Sequence, residues 1–292
     1  MTDKTEMLAY YAAPGELTAT GELGDSLAGL PGDIPGLVKV VQGALIHVFW
    51  AERYGRPLSE EEKATVQVRS AQEKLRRLQQ DNPAPLAQKR PLEKRQAGNC
   101  RDFSVLLTAL LRRAGIPARA RCGFGTYFMP DHYEDHWVVE YWRAESGRWV
   151  MVDSQLDEFQ QKALKIDFNP LDMPRGKFIP GGEAYQMCRA GKADPDKFGI
   201  FEMHGMDFIR GDLVRDFLAL NKVEILPWDW GWGYLTEKKF ADLALFDHLT
   251  GLLTGGDEAF PALRKQYESD PSLALPKTQT PTQVEISEPE GE

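Results

Sequence analysis

The strongest constraint on the fold is residues 98–153, where one well-marked helix is followed by strands. Asn99 is a favourable N-cap residue, and Asp102 stands three positions later, where its carboxylate can bond back to the cap. The residues that follow carry an apolar stripe at helical spacing, and Gly115-Ile116-Pro117 is typical of a helix end. The stripe consists of Phe103, Leu106, Leu107, Leu110 and Leu111. The sequence therefore predicts a helix that begins beside Asn99 and buries one face.

Strand-like segments follow this helix. Residues 118–123 are predicted as a short strand, and residues 136–143 and 148–153 are rich in Val, Trp and Tyr. The Glu145-Ser146-Gly147 sequence between the last two is a turn signal. Residues 136–153 are therefore predicted to form a β-hairpin.

Cys100 directly follows the proposed cap and so falls in the first turn of the helix. The unpaired amides and the dipole at a helix N-terminus favour negative charge. They favour the thiolate, which is the reactive form of cysteine, and they can also stabilise the oxyanion formed when a thiolate attacks an acyl carbon. The position of Cys100 therefore indicates a nucleophile.

A base and its orienting group can come from the hairpin. If its turn is centred on Glu145 and Ser146, Val138 faces Asp153, and His136 lies two residues away on the same face. A carboxylate diagonal to the imidazole can hold one tautomer while the other ring nitrogen meets the thiol. A three-residue loop would shift the register by one and place His136 and Asp153 on opposite faces.

The ordered motifs around these residues resemble the transglutaminase-like superfamily, which shares a papain-like Cys-His-Asp arrangement. The matching segments are Gly98-Asn99-Cys100-Arg101-Asp102, Ala114-Gly115-Ile116-Pro117-Ala118-Arg119, His136-Trp137-Val138-Val139-Glu140 and Trp149-Val150-Met151-Val152-Asp153. The resemblance implies an α+β fold, with the catalytic helix packed on an antiparallel sheet. The helical patterns on either side of these motifs predict helical N- and C-terminal additions to that core. It also implies catalytic roles for Cys100 as nucleophile, His136 as base and acid, and Asp153 as its orienting residue.

This resemblance leaves the acyl acceptor open. The superfamily includes transglutaminases, peptidases, deglycosylating amidases and inactive members. We expect a cysteine-dependent hydrolase or acyltransferase that acts on amide bonds of a peptide or protein, with water as the first choice of acceptor and an amine as the second. Gln96, four residues before Cys100, is a candidate second donor to the oxyanion. The alternative function is a catalytically silent module that binds a peptide or partner protein in the same groove.

Other candidate residues have simpler interpretations. Cys122 lies in an apolar strand and Cys188 in an irregular stretch, and both are predicted to be inert. The three cysteines lack the paired Cys or His spacing of a zinc site, so no metal and no cofactor is expected. His132 falls in the loop before the strand of His136, which is the preferred base. Gly123-Phe124-Gly125 is too short for a phosphate-binding loop.

The rest of the chain is predicted mainly from helical periodicity. Helices are expected over residues 35–51, from the capping box at Ser59 to Asp81, and over residues 208–220 and 237–254. Residues 155–205 carry mostly loop signals. Residues 202–207 form a polar segment that either returns over the active site or covers the core. The aromatic run at residues 228–234 is either a packed turn or a stacking surface.

These elements divide the chain into five predicted segments. They are an irregular N-terminal segment (1–33), a helical lead-in (34–96), a catalytic core (97–160), a C-terminal elaboration that is a lid or a helical part of the same domain (161–275), and a disordered acidic tail (276–292).

Composition excludes several classes of function. The chain has 292 residues, of which 42% are hydrophobic, enough for a sizeable core. The net charge of −9 argues against nucleic acid or an anionic membrane as a partner. Three cysteines do not form a disulfide framework, and residues 1–12 lack a secretory signal pattern, so a cytoplasmic protein is expected.

Overall fold

A computed structural model describes residues 3–21, 23–229 and 241–273. The described residues contain both helices and a sheet, so the protein is α+β, as the sequence predicts. The chain divides into two units, each built from stretches that are distant in sequence. The Cys100 unit comprises residues 8–120 and 137–174, and the His136 unit comprises residues 1–7, 121–136 and 175–292.

The helices and strands have the following bounds. The α-helices are α1 (Asp3–Ala12), α2 (Ile34–Ala44), α3 (Glu60–Lys63), α4 (Ala71–Asp81), α5 (Cys100–Arg113), α6 (Glu158–Ala163), α7 (Gly181–Arg189), α8 (Met206–Leu220), α9 (Leu243–Thr254) and α10 (Phe260–Ser269). The strands are β1 (Leu45–His47), β2 (Gln96–Gly98), β3 (Ala118–Gly125), β4 (Tyr133–Arg143), β5 (Arg148–Val152), β6 (Phe178–Pro180), β7 (Phe198–Ile200) and β8 (Met203–His204). No helix of the described residues is long and apolar enough to cross a membrane.

Helix α5 forms the centre of the Cys100 unit. It begins at Cys100, with Asn99 as N-cap, as predicted. Its predicted apolar stripe is buried in one cluster with side chains from α2, α4, β4 and β5. Examples are Val41 on α2, Leu78 on α4 and Val150 on β5. Burial of this stripe packs the helix on the strands because apolar area leaves water on both surfaces.

Strands β4 and β5 form the predicted hairpin in the predicted register. Val139 pairs with Val152, and Arg143 pairs with Arg148. The next position in this register places Val138 opposite Asp153. Gly147 closes the turn with φ of +61°, a conformation that glycine adopts without steric cost. The alternative register, shifted by one residue, is therefore excluded.

The helix predicted over residues 35–51 is wrong in its second half. Helix α2 ends at Ala44, and β1 then pairs in parallel with β2. The backbone N–H of Val48 also donates to the carbonyl of Gly98, at 2.9 Å. Apolar residues such as Leu45 suit a buried strand as well as a helix, and pairing with a distant segment decided between them.

The second predicted helix is interrupted. Its capping box is confirmed, since Glu62 N donates to Ser59 Oγ at 3.2 Å and Ser59 N donates to Glu62 Oε2 at 2.8 Å. However, α3 ends at Lys63, and α4 begins after a second N-cap, Ser70, whose Oγ accepts from Glu73 N at 3.2 Å. A serine that can cap the next helix offers the backbone an alternative to continuous helix.

The His136 unit contains the remaining strand pairings. The end of β3 pairs antiparallel with β6, the start of β4 pairs in parallel with β7, and β7 pairs antiparallel with β8. The sheet therefore has a parallel pair beside its antiparallel ones. At Gly123 the β3–β6 contact is so close that a Cβ would lie 2.2 Å from the carbonyl oxygen of Ile179. Gly123-Phe124-Gly125 thus belongs to a strand, and the glycine permits a close backbone approach.

Residues 155–205 were predicted as mostly loop, and this is wrong for much of the stretch. It contains α6, α7, β6, β7 and β8. Each is nine residues or fewer, and such short elements give little periodic signal. Helix α8 is confirmed, and the other C-terminal helix begins at Leu243 among the described residues. The aromatic run falls outside the described residues from position 230, as does the predicted tail.

Candidate functional site

Cys100 is the first residue of α5 and is partly exposed. The helix start is capped in both directions. Asp102 N donates to Asn99 Oδ1 at 3.1 Å, and Asn99 N donates to Asp102 Oδ2 at 3.1 Å. These reciprocal bonds hold the backbone on both sides of the thiol. The cysteine is therefore presented by a rigid helix terminus with positive dipole character.

Lys74 on α4 forms a buried charge trio with Arg101 and Asp102 of the first turn of α5. Lys74 Nζ is 3.1 Å from Asp102 Oδ2, and Arg101 Nη1 is 3.1 Å from Asp102 Oδ1. Each of the three side chains is at most 3% exposed. Burial lowers the pKa of Lys74, while the charge of Asp102 acts in the opposite direction. With all three ionised, the trio carries one net positive charge close to the start of α5.

Lys74 is not among the residues predicted from the sequence, although a signal for it is present. Lys74 lies on the apolar face of α4, between Ala71 and Leu78 at helical spacing. A lysine on a buried face requires a counter-charge. The carboxylate of Asp102 supplies it, so Asp102 acts both as a cap and as an ionic partner.

Gln96 begins β2, four residues before Cys100, and is 5% exposed. Neither its side-chain nitrogen nor its side-chain oxygen has a hydrogen-bond partner among the described residues. A buried amide without a partner is costly to a fold. An orphaned amide four residues before Cys100 is therefore suited to bind a polar group from outside the fold.

Asp153 follows the last residue of β5 and is completely buried. Its Oδ1 accepts from the backbone N–H of Gln155 at 2.9 Å, and its own N–H donates to the carbonyl of Pro170 at 2.9 Å. These bonds determine the direction of the carboxylate. A carboxylate can accept further bonds, so Asp153 can also hold an imidazole N–H.

His136 lies in β4 and is 1% exposed. Three aromatic rings stand edge-on to its imidazole, with centroid distances of 4.8 Å to Phe128, 6.0 Å to Tyr127 and 6.5 Å to Phe178. These rings restrict rotation of the imidazole. Along the strand, His136 points to the same side of β4 as Val138.

The predicted site residues are distributed between the two units. Cys100, Gln96 and Asp153 belong to the Cys100 unit. His136 belongs to the His136 unit, where it ends the stretch 121–136.

The alternative histidine, His132, precedes β4, as predicted, and its Nε2 is 3.2 Å from Glu134 Oε2. Burial, followed by the charge of Asp135, raises the pKa of Glu134 to about 7.

The other two cysteines have different surroundings. Cys188 was predicted in an irregular stretch but lies on α7. Burial, followed by the charge of Asp194, raises the pKa of its thiol to about 11. Cys122 is completely buried, and burial raises the pKa of its thiol well above the ordinary range. Both thiols therefore have environments that disfavour the thiolate.

Cys122, Asp135 and Asp212 form a buried group in the His136 unit, with potential ligand atoms within 4.8 Å of one another. Arg215 donates from Nε to Asp212 Oδ1 at 2.9 Å and makes a second bond to the same oxygen. Burial raises the pKa values of Asp135 and Asp212. A guanidinium already supplies positive charge here, so the donor set fits an internal ion pair better than a metal ion.

A surface cleft of about 660 Å³ lies elsewhere on the Cys100 unit. Its lining includes Gly115, Ile116 and Pro117, which follow the C-terminal end of α5. A helix of 14 residues is roughly 20 Å long, so this cleft is remote from Cys100.

Comparisons with known proteins find similarity in the part of the chain that contains these residues. The model of the transglutaminase-like superfamily core matches residues 50–154, which include Cys100, His136 and Asp153. Over 66 residues the chain is 35% identical to a protein-glutamine gamma-glutamyltransferase of Pseudomonas aeruginosa, a match covering 20% of this chain and 10% of that protein. The chain thus spans about a tenth of the length of this curated relative.

A solved structure of a Cytophaga hutchinsonii protein, provisionally described as a cysteine protease, is 18% identical, with a TM-score of 0.31. The alignment covers 51% of this chain and 42% of that one. A score this low does not establish a common fold. The family match over residues 50–154 and the curated match agree with the resemblance that the motifs indicate: this part of the chain is similar to the transglutaminase-like superfamily core.

Proposed function

We propose that the protein is a cysteine-dependent enzyme that attacks an amide bond of a peptide or protein. The observation that carries this proposal is the position of Cys100, a partly exposed thiol on the first turn of a doubly capped helix. The helix dipole favours the thiolate, and the buried trio does so too when Lys74 is protonated.

The reaction proceeds through a thioester. The Cys100 thiolate attacks the carbonyl carbon, and the amide N–H groups of the first turn of α5 stabilise the oxyanion. The orphaned side chain of Gln96 supplies a further N–H donor. When the oxyanion collapses, the carbon–nitrogen bond breaks and the amine departs with a proton from His136.

His136 and Asp153 act together in this scheme. The imidazole first takes the proton of the thiol and then gives it to the leaving amine. Asp153 accepts a hydrogen bond from the other ring nitrogen and so selects the productive tautomer. The register of β4 and β5 supports this pairing, since it places Val138 opposite Asp153 and His136 projects to the same side of β4 as Val138.

Water is the proposed acceptor of the acyl group. His136 takes a proton from the attacking water, and the thioester breaks into a carboxylic acid and the free thiol. The Pseudomonas aeruginosa relative is named as a γ-glutamyltransferase, so transfer to an acceptor other than water is the alternative, with an amine as the second candidate acceptor. Mass spectrometry of peptides treated with a primary amine separates the two, since hydrolysis and aminolysis give products of different mass.

The first test is the pH dependence of Cys100 alkylation by iodoacetamide, with mass spectrometry to identify the labelled cysteine. In the wild type we expect fast labelling below pH 7, because an activated thiol is ionised there. We expect His136→Ala to slow it, because the imidazolium that stabilises the thiolate is lost. Asp153→Asn should have a smaller effect in the same direction.

The opposite result would exclude an enzyme. If Cys100 reacts no faster than a free thiol, and His136→Ala changes nothing, the thiol is not activated. A silent module that binds a peptide or partner would then be the better account. Peptide binding that survives Cys100→Ala would support that account directly.

A further inference from the structure

A cluster of three aromatic rings on the Cys100 unit presents one of them, Phe159, to solvent, and we call it the aromatic platform. It consists of Trp50, Tyr54 and Phe159. The ring centroid of Phe159 is 4.5 Å from that of Tyr54 and 6.5 Å from that of Trp50, where the rings are perpendicular. Phe159 is 41% exposed, although it is a large apolar side chain on the first turn of α6. An exposed phenylalanine packed on two other rings is an unused contact surface.

Contacts with neighbouring side chains hold Trp50 and Tyr54 of the platform in place. Trp50 is only 8% exposed, and the guanidinium of Arg53 lies 4.7 Å from its ring centroid. Burial, followed by a hydrogen bond to Asp157, raises the pKa of Tyr54. Its hydroxyl therefore stays protonated and bonded. Asp157 is itself the N-cap of α6 and accepts from Gln160 N at 3.0 Å. A surface with this little freedom loses little entropy when a ligand binds.

Two chain connections bring the platform close to the catalytic residues of the same unit. Val48 N donates to Gly98 O, and Trp50 and Cys100 each lie two residues beyond that bond. Two residues span at most about 7 Å. On the other side, Phe159 is six residues after Asp153. A short extended peptide attacked at Cys100 can therefore reach the platform.

The charges around the platform restrict what it can bind. The guanidinium of Arg95 is close enough to interact with both Tyr54 and Asp157. Arg53 adds a second cation, but Asp157, which is bonded to Tyr54, and the neighbouring Glu52 and Glu158 are acidic. The charges of the two signs offset one another, so the platform is not built to select a charged side chain. An aromatic side chain gains edge-to-face contacts with the rings and needs no counter-charge.

We propose that the aromatic platform binds a phenylalanine, tyrosine or tryptophan side chain of the acyl-donor peptide and so determines substrate specificity. The inference rests on the proposed attack by Cys100, and it names the substrate class. Phe159 contacts the bound side chain directly, while Trp50 and Tyr54 form the base on which it packs.

The test uses covalent probes, so it does not require a known substrate. The probes are acetyl-peptide chloromethyl ketones with one Phe among alanines, at the first, second, third or fourth residue before the reactive carbonyl, and an all-Ala parent. The second-order rate constant of labelling at Cys100 is measured by mass spectrometry. At one of the four positions we expect Phe to raise it by about 10-fold or more over the all-Ala probe.

Matched variants identify the residue responsible. Phe159→Ala should remove most of the preference for Phe, while labelling by the small reagent iodoacetamide stays within about twofold, because the thiol is unchanged. Phe159→Tyr should retain the preference. Phe201→Ala is the control, since Phe201 is 42% exposed but belongs to the His136 unit. It should behave as the wild type.

The outcomes separate this inference from the proposed function. Equal rates for all Phe and all-Ala probes, or a preference that persists in Phe159→Ala, overturn the platform as a specificity site. Fast, His136-dependent labelling by iodoacetamide would leave the enzyme proposal standing in that case. Conversely, a Phe159-dependent preference with a slow, His136-independent thiol supports the platform as a binding site and refutes catalysis.

Discussion

The buried charge trio makes a quantitative prediction for Asp102→Asn. The carboxylate of Asp102 is the only acidic member beside the cations of Lys74 and Arg101, with contacts of 3.1 Å to each. Asparagine has nearly the same shape and keeps one oxygen to accept from Asn99 N, so the cap can persist. The substitution therefore mainly removes the negative charge.

The expected loss follows from burial. Removing one partner of a buried ion pair costs about 3–5 kcal/mol of unfolding free energy, because the remaining charge is neither solvated nor paired. Here two cations lose their carboxylate. Lys74 is completely buried and its pKa is already lowered by desolvation. It will adapt partly by giving up its proton, which keeps the expected cost within that range.

Glu73→Gln is the matched control. Glu73 also contacts two cations, Arg76 at 2.7 Å and Arg77 at 2.8 Å, which is closer than at Asp102. However, the side chain of Glu73 is 36% exposed, and that of Asp102 is 0% exposed. An exposed pair contributes about 0–1 kcal/mol. The two substitutions therefore differ mainly in the burial of the carboxylate.

The assay is urea unfolding at pH 7, followed by far-UV circular dichroism, with the free energy taken from the midpoint at constant slope. Asp102→Asn should unfold at much lower urea than the wild type, and Glu73→Gln close to it. If the two variants lose equal free energy, or if Asp102→Asn loses less than about 1 kcal/mol, the buried trio does not stabilise the start of α5.

Three further predictions concern other buried groups. The pKa of Glu134 is about 7 in the fold against 4.5 when unfolded, so its protonation stabilises the protein fully below pH 4.5, and this contribution is lost as pH rises through 7. Glu134→Gln should remove this pH dependence, which amounts to up to about 3 kcal/mol of unfolding free energy. The urea midpoints of the wild type and the variant are compared at pH 5 and pH 8, and an equal change between the two pH values in both proteins would contradict the prediction. Gln96→Leu should leave the unfolding free energy unchanged or raise it by up to about 1 kcal/mol, since it removes an orphaned amide; a clear loss would show that Gln96 has a structural partner. In native protein at pH 7, iodoacetamide should label Cys100 first, Cys188 slowly and Cys122 only after unfolding, and peptide mapping that finds Cys122 labelled early would disprove its burial.

Local signals were sufficient for the elements that carry the proposed nucleophile and its partners. Asn99 and Asp102 are three residues apart, and their reciprocal bonds require no distant residue. The hairpin of β4 and β5 is likewise local, because its turn determines the register that places Val138 opposite Asp153. These parts of the fold could be predicted because their free energy comes from neighbours in sequence.

Contacts between distant segments decided the rest. Leu45 lies in a strand because β2, some fifty residues away, supplies backbone partners that a helix could not use there. The apolar spacing around Leu45 is compatible with both structures. The same holds for α6 and α7, which are too short to show a period.

The sequence by itself determined the capped start of α5 and the register of the hairpin, since each depends on residues within a few positions of one another, and its ordered motifs indicated the resemblance to the transglutaminase-like superfamily. Only the tertiary structure decided the buried pairing of Lys74 with Asp102, the orphaned amide of Gln96 and the aromatic platform. Each of these depends on which distant side chains exclude water from a group, and burial of that kind is a property of the packed chain rather than of any one segment.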